Sequence, residues 1–273
     1  MIIGQYIESA VNWLTDNFSG LFDGINTVMS ALIGAIETFW LWLPFYLVIV
    51  FFAGIAYWKT GWKNAVFTLL GLIFIYFTGF WEETMLTLAL VLASAFVALL
   101  AGIPLGIWSA RSQAANNAIR PILDFMQTMP AFVYLIPAVL LFGLGTVPGA
   151  FATIIFAMPP VVRLTMLGIR QVPEDIVEAT RAFGATPSQL LIKVQLPLAM
   201  PTILAGINQT IMMSLSMVVI ASMIGAKGLG EIVLQGISQL RIGLGFESGL
   251  AVVLLAIILD RITQNLGKNR KTN

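Results

Sequence analysis

The chain has no cysteine and no histidine among its 273 residues. Without cysteine it can form neither disulfides nor thiolate nucleophiles, and without histidine it has no imidazole ligand for a metal ion. Charge is also scarce, because only 10% of the residues are Asp, Glu, Lys or Arg, against about 25% in ordinary soluble domains. The basic residues form no stripe, which argues against nucleic-acid binding. The pattern Gly-x-x-x-x-Gly-Lys-Ser/Thr does not occur, so no P-loop is present to hold ATP.

The remaining composition predicts an all-α polytopic membrane protein. Hydrophobic residues make up 59% of the chain, and uncharged stretches of about 17 to 25 residues are long enough to cross a bilayer as helices. We expect about seven spans. They cover residues 38–58, 64–81, 84–110, two helices within 125–162 joined by a glycine- and proline-rich turn at 143–149, 201–225 and 242–259. The third span is expected to tilt or to end early at residues 102–104.

The middle parts of the predicted spans carry no Asp, Glu, Lys or Arg. Proton- and sodium-coupled carriers typically place ionisable groups within the membrane, so this absence argues against a carrier of that class. The lack of histidine, cysteine and paired carboxylates inside the membrane also leaves no candidate for catalysis. We therefore expect that the chain is not an enzyme and holds no metal or cofactor.

The basic residues predict the orientation of the spans, because lysine and arginine in short loops stay on the cytoplasmic side. If the N-terminus lies outside, only Lys227 and Arg241 fall outside and 12 of the 14 basic residues fall inside. The inner set is Lys59, Lys63, Arg111, Arg120, Arg163, Arg170, Arg181, Lys193, Arg261, Lys268, Arg270 and Lys271. The C-terminus and the loop after the fifth span are therefore expected in the cytoplasm of a multi-pass plasma (inner) membrane protein.

Residues 1–37 are predicted to form an amphipathic helix and not a span. A four-three spacing places apolar residues on one stripe: Ile7, Val11, Leu14, Phe18, Leu21, Ile25, Val28 and Leu32. The opposite face carries Glu8, Asn12, Asp16, Asp23 and Asn26. Such a helix can lie in the outer membrane interface or pack against the spans. A dimeric coiled coil is the alternative, but three glycines disfavour it, since each weakens a helix by about 1 kcal/mol relative to alanine.

The polar loop between the fifth and sixth predicted spans begins with a short helix. Pro173 suits the first turn, where its missing N–H costs no hydrogen bond. Glu174 and Asp175 complement the positive end of the helix dipole. Gly184 stands where a left-handed C-cap would end the helix.

A second short helix is predicted to follow in the same loop. Thr186 with Gln189 three residues later matches a capping box, and Pro187 suits the first helical position. We expect this helix to stop at Leu196 and Pro197. The loop would then be a helix, a turn and a second helix beneath the membrane.

The spacing in this loop resembles the EAA loop of type I ABC importer permeases. Matching positions are Glu178, Ala179, Gly184, Val194, Leu196 and Pro197. Thr180 replaces the usual second alanine and Val194 replaces isoleucine, both small changes in volume. In that family the loop is a coupling helix held in a groove of a cytoplasmic ATPase. The resemblance therefore assigns ATPase coupling to Glu178, Ala179, Thr180, Arg181, Ala182, Phe183, Gly184, Val194, Leu196 and Pro197, and an ordinary amphipathic loop is the alternative.

Further segments resemble the permease subunit of glycine betaine/proline importers: residues 124–134, 156–160, 193–199 and 259–264. The acidic N-terminal extension and the tryptophan-rich first span fit this group better than the shorter choline and carnitine permeases. The resemblance covers nearly the whole chain. It divides the chain into the amphipathic segment 1–37, two accessory transmembrane helices in 38–81, a permease core in 84–263 with its coupling loop at 171–200, and a basic cytoplasmic tail at 264–273.

The resemblance implies ATP-driven uptake of a compatible solute, glycine betaine first, by alternating access. Its implied partners are two copies of a separate ATPase carrying ATP and Mg, an extracytoplasmic binding protein that is free or lipid-anchored, a second copy of the permease, and membrane lipid. Choline, carnitine, proline and taurine remain alternative solutes. A membrane scaffold that recruits a soluble partner through the loop is the alternative from another class.

Two groups of residues are candidates for handling the solute. Polar and flexible residues in the sixth span are candidates for lining the pathway: Asn208, Gln209, Met212, Met213, Ser214, Ser216 and Met217. Ordinary membrane packing also uses small polar residues and methionine. The second group is expected on the outer side of the membrane: Gly225, Lys227, Gly228 and Gly230. These residues could receive the binding protein, form an outer gate or make a simple re-entrant loop. Five tryptophans at span ends are interpreted as interface anchors: Trp40, Trp42, Trp58, Trp62 and Trp81.

Overall fold

The computed structural model describes residues 2–265, and within them every regular element is helical. The helices are α1 (Ile2–Trp42), α2 (Phe45–Thr60), α3 (Trp62–Phe77), α4 (Trp81–Arg111), α5 (Gln113–Thr128), α6 (Leu135–Phe142), α7 (Thr146–Arg170), α8 (Glu174–Ala182), α9 (Pro187–Leu190), α10 (Leu196–Ser216), α11 (Val218–Ser222), α12 (Leu229–Ser238) and α13 (Ile242–Gln264). A 3₁₀ turn at Ala131–Tyr134 precedes α6, and a π-helical turn at Leu191–Gln195 joins α9 to α10. The all-α prediction is confirmed.

Five helical segments are long and apolar enough to cross a membrane: Trp13–Trp42, Trp81–Arg111, Thr146–Arg170, Pro187–Ser222 and Ile242–Gln264. α5 and α6 together make a sixth candidate, bent by 111° at the break between them. α2 and α3 have 16 residues each, or about 24 Å at 1.5 Å per residue, and pack against each other. The prediction of an all-α polytopic membrane protein agrees with this arrangement, but five or at most six of the described helices have spanning length, against the seven spans expected. Trp13–Trp42, most of which was predicted not to span, is one of them.

The first helix is longer than its predicted segment. α1 continues through residues 38–42 and ends at Trp42, and Pro44 precedes α2. The predicted boundary between residues 37 and 38 therefore lies inside α1. The chain turns at Pro44 because proline cannot continue a helix that needs its N–H, whereas it is tolerated before a first turn.

The face that α1 buries differs from the predicted stripe. Met29 and Ile33 are buried against α4 and α7, whereas Val28 from the predicted stripe is 67% exposed. Ile25 and Leu32 lie at the edge of the buried face. The C-terminal half of α1 thus packs on the bundle through a face rotated by about one residue. The side chains of Ile7, Glu8 and Asn12 and the tail from residue 266 lie outside the described part of the chain.

Trp40 is not an interface anchor, contrary to its interpretation from the sequence. It is buried, and its ring centroid lies 5.5 Å from that of Phe52 in α2. Because α1 continues past residue 37, Trp40 falls on the face that packs against α2 and α4. Trp42, Trp58 and Trp62 remain exposed.

α4, α7 and α10 pack closely at the centre of the bundle. A Cβ built on Gly102 would lie 2.5 Å from Val161 Cγ1, and one on Gly106 would lie 2.6 Å from Thr165 Cβ. Small residues let helix backbones approach in this way within membranes. α4 continues past these glycines to Arg111, so it does not end at residues 102–104.

Glycines also bring α7 and α10 together. A Cβ on Gly168 would lie 3.0 Å from Thr202 Cβ, and one on Gly206 would lie 3.1 Å from Leu164 Cβ. The loop between these two helices, residues 171–195, is consequently held at both ends by close helix packing. This loop is the predicted coupling region.

Candidate functional site

The first helix of this loop, α8, is largely exposed, and only Val177 and Thr180 in it are partly buried. Glu174 and Asp175 lie in its first turn, and no residue of α8 is buried. Pro173 occupies the N-cap, one position before the turn in which the sequence placed it. Phe183, the residue after α8, is 93% exposed. An aromatic side chain left in the open at a helix end is a feature of surfaces that contact another molecule.

The end of α8 has the predicted left-handed cap. Gly184 adopts φ of +81°, its N–H donates to the Arg181 carbonyl at 2.9 Å, and the Ala185 N–H donates to the Thr180 carbonyl at 3.3 Å. The bond from Ala185 to a carbonyl five residues earlier is typical of a Schellman motif. The prediction of a glycine C-cap is confirmed, and this cap aims Phe183 away from the protein.

The second helix begins with the predicted capping box. The Gln189 N–H donates to Thr186 Oγ1 at 3.3 Å, and the Thr186 N–H donates to Gln189 Oε1 at 2.8 Å. Pro187 stands at the start of α9. The capping-box prediction is confirmed, so both short helices are fixed by local hydrogen bonds.

The predicted end of the second helix at Leu196 and Pro197 is wrong. α9 passes through the π-helical turn directly into α10, and the Leu196 N–H bonds the Leu191 carbonyl five residues earlier. Proline lacks an N–H and its ring crowds the carbonyl four residues earlier. The wider π turn just before Pro197 accommodates this conflict without breaking the helix, as π-bulges do elsewhere.

The loop is anchored to the bundle by its second half. Leu191 is buried with Ile169 of α7 and Ala199 of α10. Val194 and Leu196 are partly buried, and Pro197 is exposed. Of the residues assigned to ATPase coupling, those from Glu178 to Gly184 therefore share one exposed region, whereas Val194 and Leu196 help to hold that region in place.

A polar cavity of about 540 Å³ separates the loop from the ends of α4 and α7. Arg111 lines it from α4, Arg181 from α8, and Gln195 from the π-helical turn. The cavity therefore lies between the C-terminal end of α8 and the bundle.

The seven pathway candidates do not share one surface. Ser214 and Met217 are buried within the chain, Met217 at 0% exposure, and Ser214 Oγ donates to the Thr210 carbonyl at 2.9 Å. Gln209 and Ser216 are exposed on α10, and Met212 and Met213 are partly exposed. The helical spacing of Gln209 and Ser216 puts them on one open stripe, so only part of the candidate set faces a possible pathway.

Asn208 has a different environment from the one expected. The Asn208 side chain bonds two residues of α13: its Nδ2 donates to Asp260 Oδ1 at 3.0 Å, and its Oδ1 accepts from Thr263 Oγ1. Within α13, Gln264 Nε2 donates to both carboxylate oxygens of Asp260 at 2.7 Å. This polar cluster joins α10 to α13. Sequence reasoning missed it because its halves are about 50 residues apart, although Asp260 at a span end was a visible signal.

The predicted outer loop is a tightly packed turn. Leu229 N–H donates to Thr87 Oγ1 of α4 at 2.8 Å, and the Gly145 N–H donates to the Ile224 carbonyl at 2.8 Å. Gly228 and Gly230 are buried, whereas Gly225 and Lys227 are exposed. Of the four outer candidates, only Gly225 and Lys227 can meet another molecule in this arrangement.

The family profile described as "Binding-protein-dependent transport system inner membrane component" matches residues 102–272 of the chain. The chain is also 50% identical over 270 residues to the glycine betaine transport system permease protein OpuAB of Bacillus subtilis, covering 99% of this chain and 96% of that protein. It is 50% identical to the glycine betaine/proline betaine permease ProW of Escherichia coli, with 99% and 76% covered. The glycine betaine/carnitine permease GbuB of Listeria monocytogenes is 48% identical, with 99% and 97% covered.

Among solved structures, an inward-facing form of the MetNI methionine ABC transporter superposes with a TM-score of 0.58 at 24% identity, covering 67% of this chain and 93% of that one. This likeness supports the fold alone. The profile match covers more than half of the chain, and the curated relatives align with nearly all of it. The chain belongs to the binding-protein-dependent transport system inner membrane component family, as a type I ABC importer permease of the group that contains OpuAB and ProW.

Proposed function

We propose that this chain forms the translocation pathway of an ATP-driven importer for glycine betaine and related osmoprotectants. The coupling loop carries the proposal, because α8 has no buried residue while its caps and the packing of α7 and α10 fix its position. In this family a partner ATPase uses the ATP and a separate binding protein delivers the solute. The chain is therefore a transport subunit and not an enzyme. Its permease core comprises residues 84–263.

Residues from Glu178 to Gly184 are proposed to insert into the ATPase. The exposed Phe183 ring supplies apolar area at the tip of α8, and exposed aromatic residues are frequent energetic centres of protein interfaces. Glu178 and Arg181, both exposed, would make polar contacts around it. Two ATPase subunits, each with ATP and Mg, would bind the two loops of a permease dimer.

A homodimer of the permease is proposed to enclose the pathway. α5, the 3₁₀ turn that follows it and α6 leave five large apolar side chains more than half exposed: Ile122, Phe125, Phe132, Ile136 and Leu140. A second copy meeting this face would cover them and would bring the open α10 stripe with Gln209 and Ser216 to the dimer centre. Closure of the two ATPases would then draw the coupling loops together and open the pathway toward the binding protein, and hydrolysis would return it to the inward-facing state.

We propose that the N-terminus lies outside and the C-terminus in the cytoplasm. The distribution of lysine and arginine supports this. α1 contains exposed Asp16 and Asp23, which would be costly inside hydrocarbon, so its N-terminal half is placed in the outer interface. The chain has no cysteine, which allows single-cysteine labelling in whole cells.

An impermeant maleimide tests this orientation. It should label Ser9→Cys and Lys227→Cys in intact cells, and Phe183→Cys only after permeabilisation. Labelling of Lys227→Cys but not Ser9→Cys in intact cells would mean that α1 crosses the membrane and that the N-terminus is inside.

Glycine betaine is the proposed solute because relatives with 50% identity over nearly the whole chain are named for it. Carnitine is the second candidate, since the 48% identical relative is named for both solutes. Uptake of radiolabelled glycine betaine should be measured in osmotically stressed cells that carry the permease, its ATPase and its binding protein, with unlabelled carnitine, choline, proline and taurine as competitors. Failure of glycine betaine to enter would reject the proposed solute.

Replacement of Gly184 tests the coupling role. Gly184→Trp should impair ATPase binding and uptake while the membrane helices stay folded, because a Cβ at this position meets nothing within 4 Å. Gly79→Trp is the matched control: Gly79 also has a positive φ, of +80°, and open space, but it lies between α3 and α4. Full ATPase binding and uptake by the Gly184→Trp complex would reject the coupling assignment.

A further inference from the structure

A second cavity, distinct from the one beneath α8, lies between α4, α5 and α7. Its volume is about 330 Å³. Three arginines line it, Arg120, Arg163 and Arg170, together with Asp124. By the proposed topology it opens at the cytoplasmic ends of these helices, just before the coupling loop begins.

The charges in this cavity do not balance. Arg163 Nη2 lies 2.5 Å from Asp124 Oδ1, the one ion pair in the part of the chain whose side chains are described. Arg120 and Arg170 have no carboxylate partner in that part of the chain. Three cations facing one carboxylate leave two positive charges in the cavity, which favours an anion there.

Buried polar side chains complete the lining. Ser109 is 2% exposed, and its Oγ has no hydrogen-bond partner within the described chain. Asn116 of α5 is 7% exposed and lines the same cavity. Buried hydroxyl groups normally find a partner, so the unpartnered Ser109 hydroxyl is a candidate donor to a ligand in the adjoining cavity.

One arginine is already oriented by the protein. Arg170 Nη2 donates to the Ser109 carbonyl at 2.8 Å, which leaves its other N–H groups available to a ligand. Guanidinium groups are well suited to phosphate oxygens because their planar N–H pairs match the spacing of two oxygens. A phosphate can accept from several such groups and from a hydroxyl at once.

We propose that this cavity binds an oxyanion of the phosphate class, held by Arg120, Arg163 and Arg170 with Ser109 and Asn116 as neutral partners. The phosphate belongs either to an anionic phospholipid headgroup or to a soluble phosphate. A bound phosphate would connect α4, α5 and α7 at the point where the chain enters the coupling loop. It would thereby stiffen the support of α8.

The experiment uses the full-length chain purified in neutral detergent, with phosphatidylglycerol titrated in native mass spectrometry and inorganic phosphate titrated in thermal unfolding. Whichever of the two probes binds the unaltered chain, Arg120→Gln should weaken its binding about tenfold, as expected for loss of a charged hydrogen bond. Ser109→Ala should weaken it about threefold without altering charge, and Arg120→Lys should retain part of the affinity. Arg120 is exposed, so its replacement should leave the fold intact.

Arg111→Gln is the matched control, since Arg111 lies at the same end of α4 but lines the other cavity. Selective loss of phosphatidylglycerol binding would identify a lipid headgroup, and selective loss of the phosphate-induced shift would identify a soluble phosphate. If Arg111→Gln weakened probe binding equally, the binding would be due to general surface charge, and the proposal would be overturned. Unchanged binding of both probes in Arg120→Gln and Ser109→Ala would overturn it as well.

Discussion

The coupling loop and the outer turn (residues 223–230) both use glycine, but for opposite reasons. Gly184 in the loop has φ of +81° and open space around it, whereas Gly228 in the turn has φ of +127° and would place a Cβ 2.5 Å from Thr87 Oγ1. The loop is shaped by caps within its own sequence. The turn is shaped by close approach to α4 and α11. A loop fixed by its own caps can therefore stay exposed and contact a partner, whereas the outer turn is buried against helices of its own protein.

Gly230→Ala should have the largest effect on stability. Its Cβ would lie 2.4 Å from the Val218 carbonyl oxygen and 2.7 Å from the Val218 carbonyl carbon, so the backbone would have to move. Such overpacking costs about 3 kcal/mol, and the unfolding temperature in detergent should fall clearly. Gly249→Ala is the control, because a Cβ there meets nothing within 4 Å. Equal stability of the two variants would contradict the packed turn.

Asn208→Leu should have the next largest effect, and it separates a packing role from a pathway role. Loss of the bonds to Asp260 and Thr263 should lower stability by about 1 to 2 kcal/mol. The KM for solute uptake should stay unchanged while the amount of folded permease falls. The alternative, a pathway role for Asn208, predicts the reverse: a changed KM with normal unfolding temperature. Gln209→Leu, on the open stripe of α10, is the comparison variant.

Gly184→Ala should cost about 1 kcal/mol, because a residue with a Cβ is strained in the left-handed region, although nothing nearby would clash. Gly184→Asn should cost less, since asparagine tolerates this conformation better. Hydrogen exchange of a peptide covering residues 174–190 should detect faster opening of α8 in the alanine variant. No difference between glycine, asparagine and alanine at this position would contradict a cap-determined loop.

Phe183→Ala should have the smallest effect on stability, within about 0.5 kcal/mol, because this side chain is on the surface. ATPase binding should nevertheless weaken about tenfold if the ring is a central contact. Phe246→Ala removes an exposed phenylalanine from α13 and should leave ATPase affinity unchanged. A large loss of stability in Phe183→Ala, or equal ATPase affinities of Phe183→Ala and Phe246→Ala, would contradict the difference drawn between an exposed loop and a packed turn.

The parts of the site that the sequence predicted are those with local causes. Glycine at residue 184 and the Thr186–Gln189 pair specify their caps through hydrogen bonds between residues three to five positions apart. The length of α1, the burial of Trp40 and the pairing of Asn208 with Asp260 depend on helices distant in sequence. Periodicity predicted an apolar face but did not determine which face α1 buries, because apolar residues such as Met29 and Ile33 also stand on the neighbouring stripe.

The π-helical turn has a mechanical consequence. Because it absorbs Pro197 without a break, Pro187–Ser222 runs as one helical segment of 36 residues, about 54 Å long at 1.5 Å per residue. One end lies beside the coupling loop and the other beside the outer turn. A tilt of about 5° in a lever of this length displaces its far end by about 5 Å. In the proposed topology, motion imposed on the coupling loop can thus reach the outer turn through one continuous helical segment.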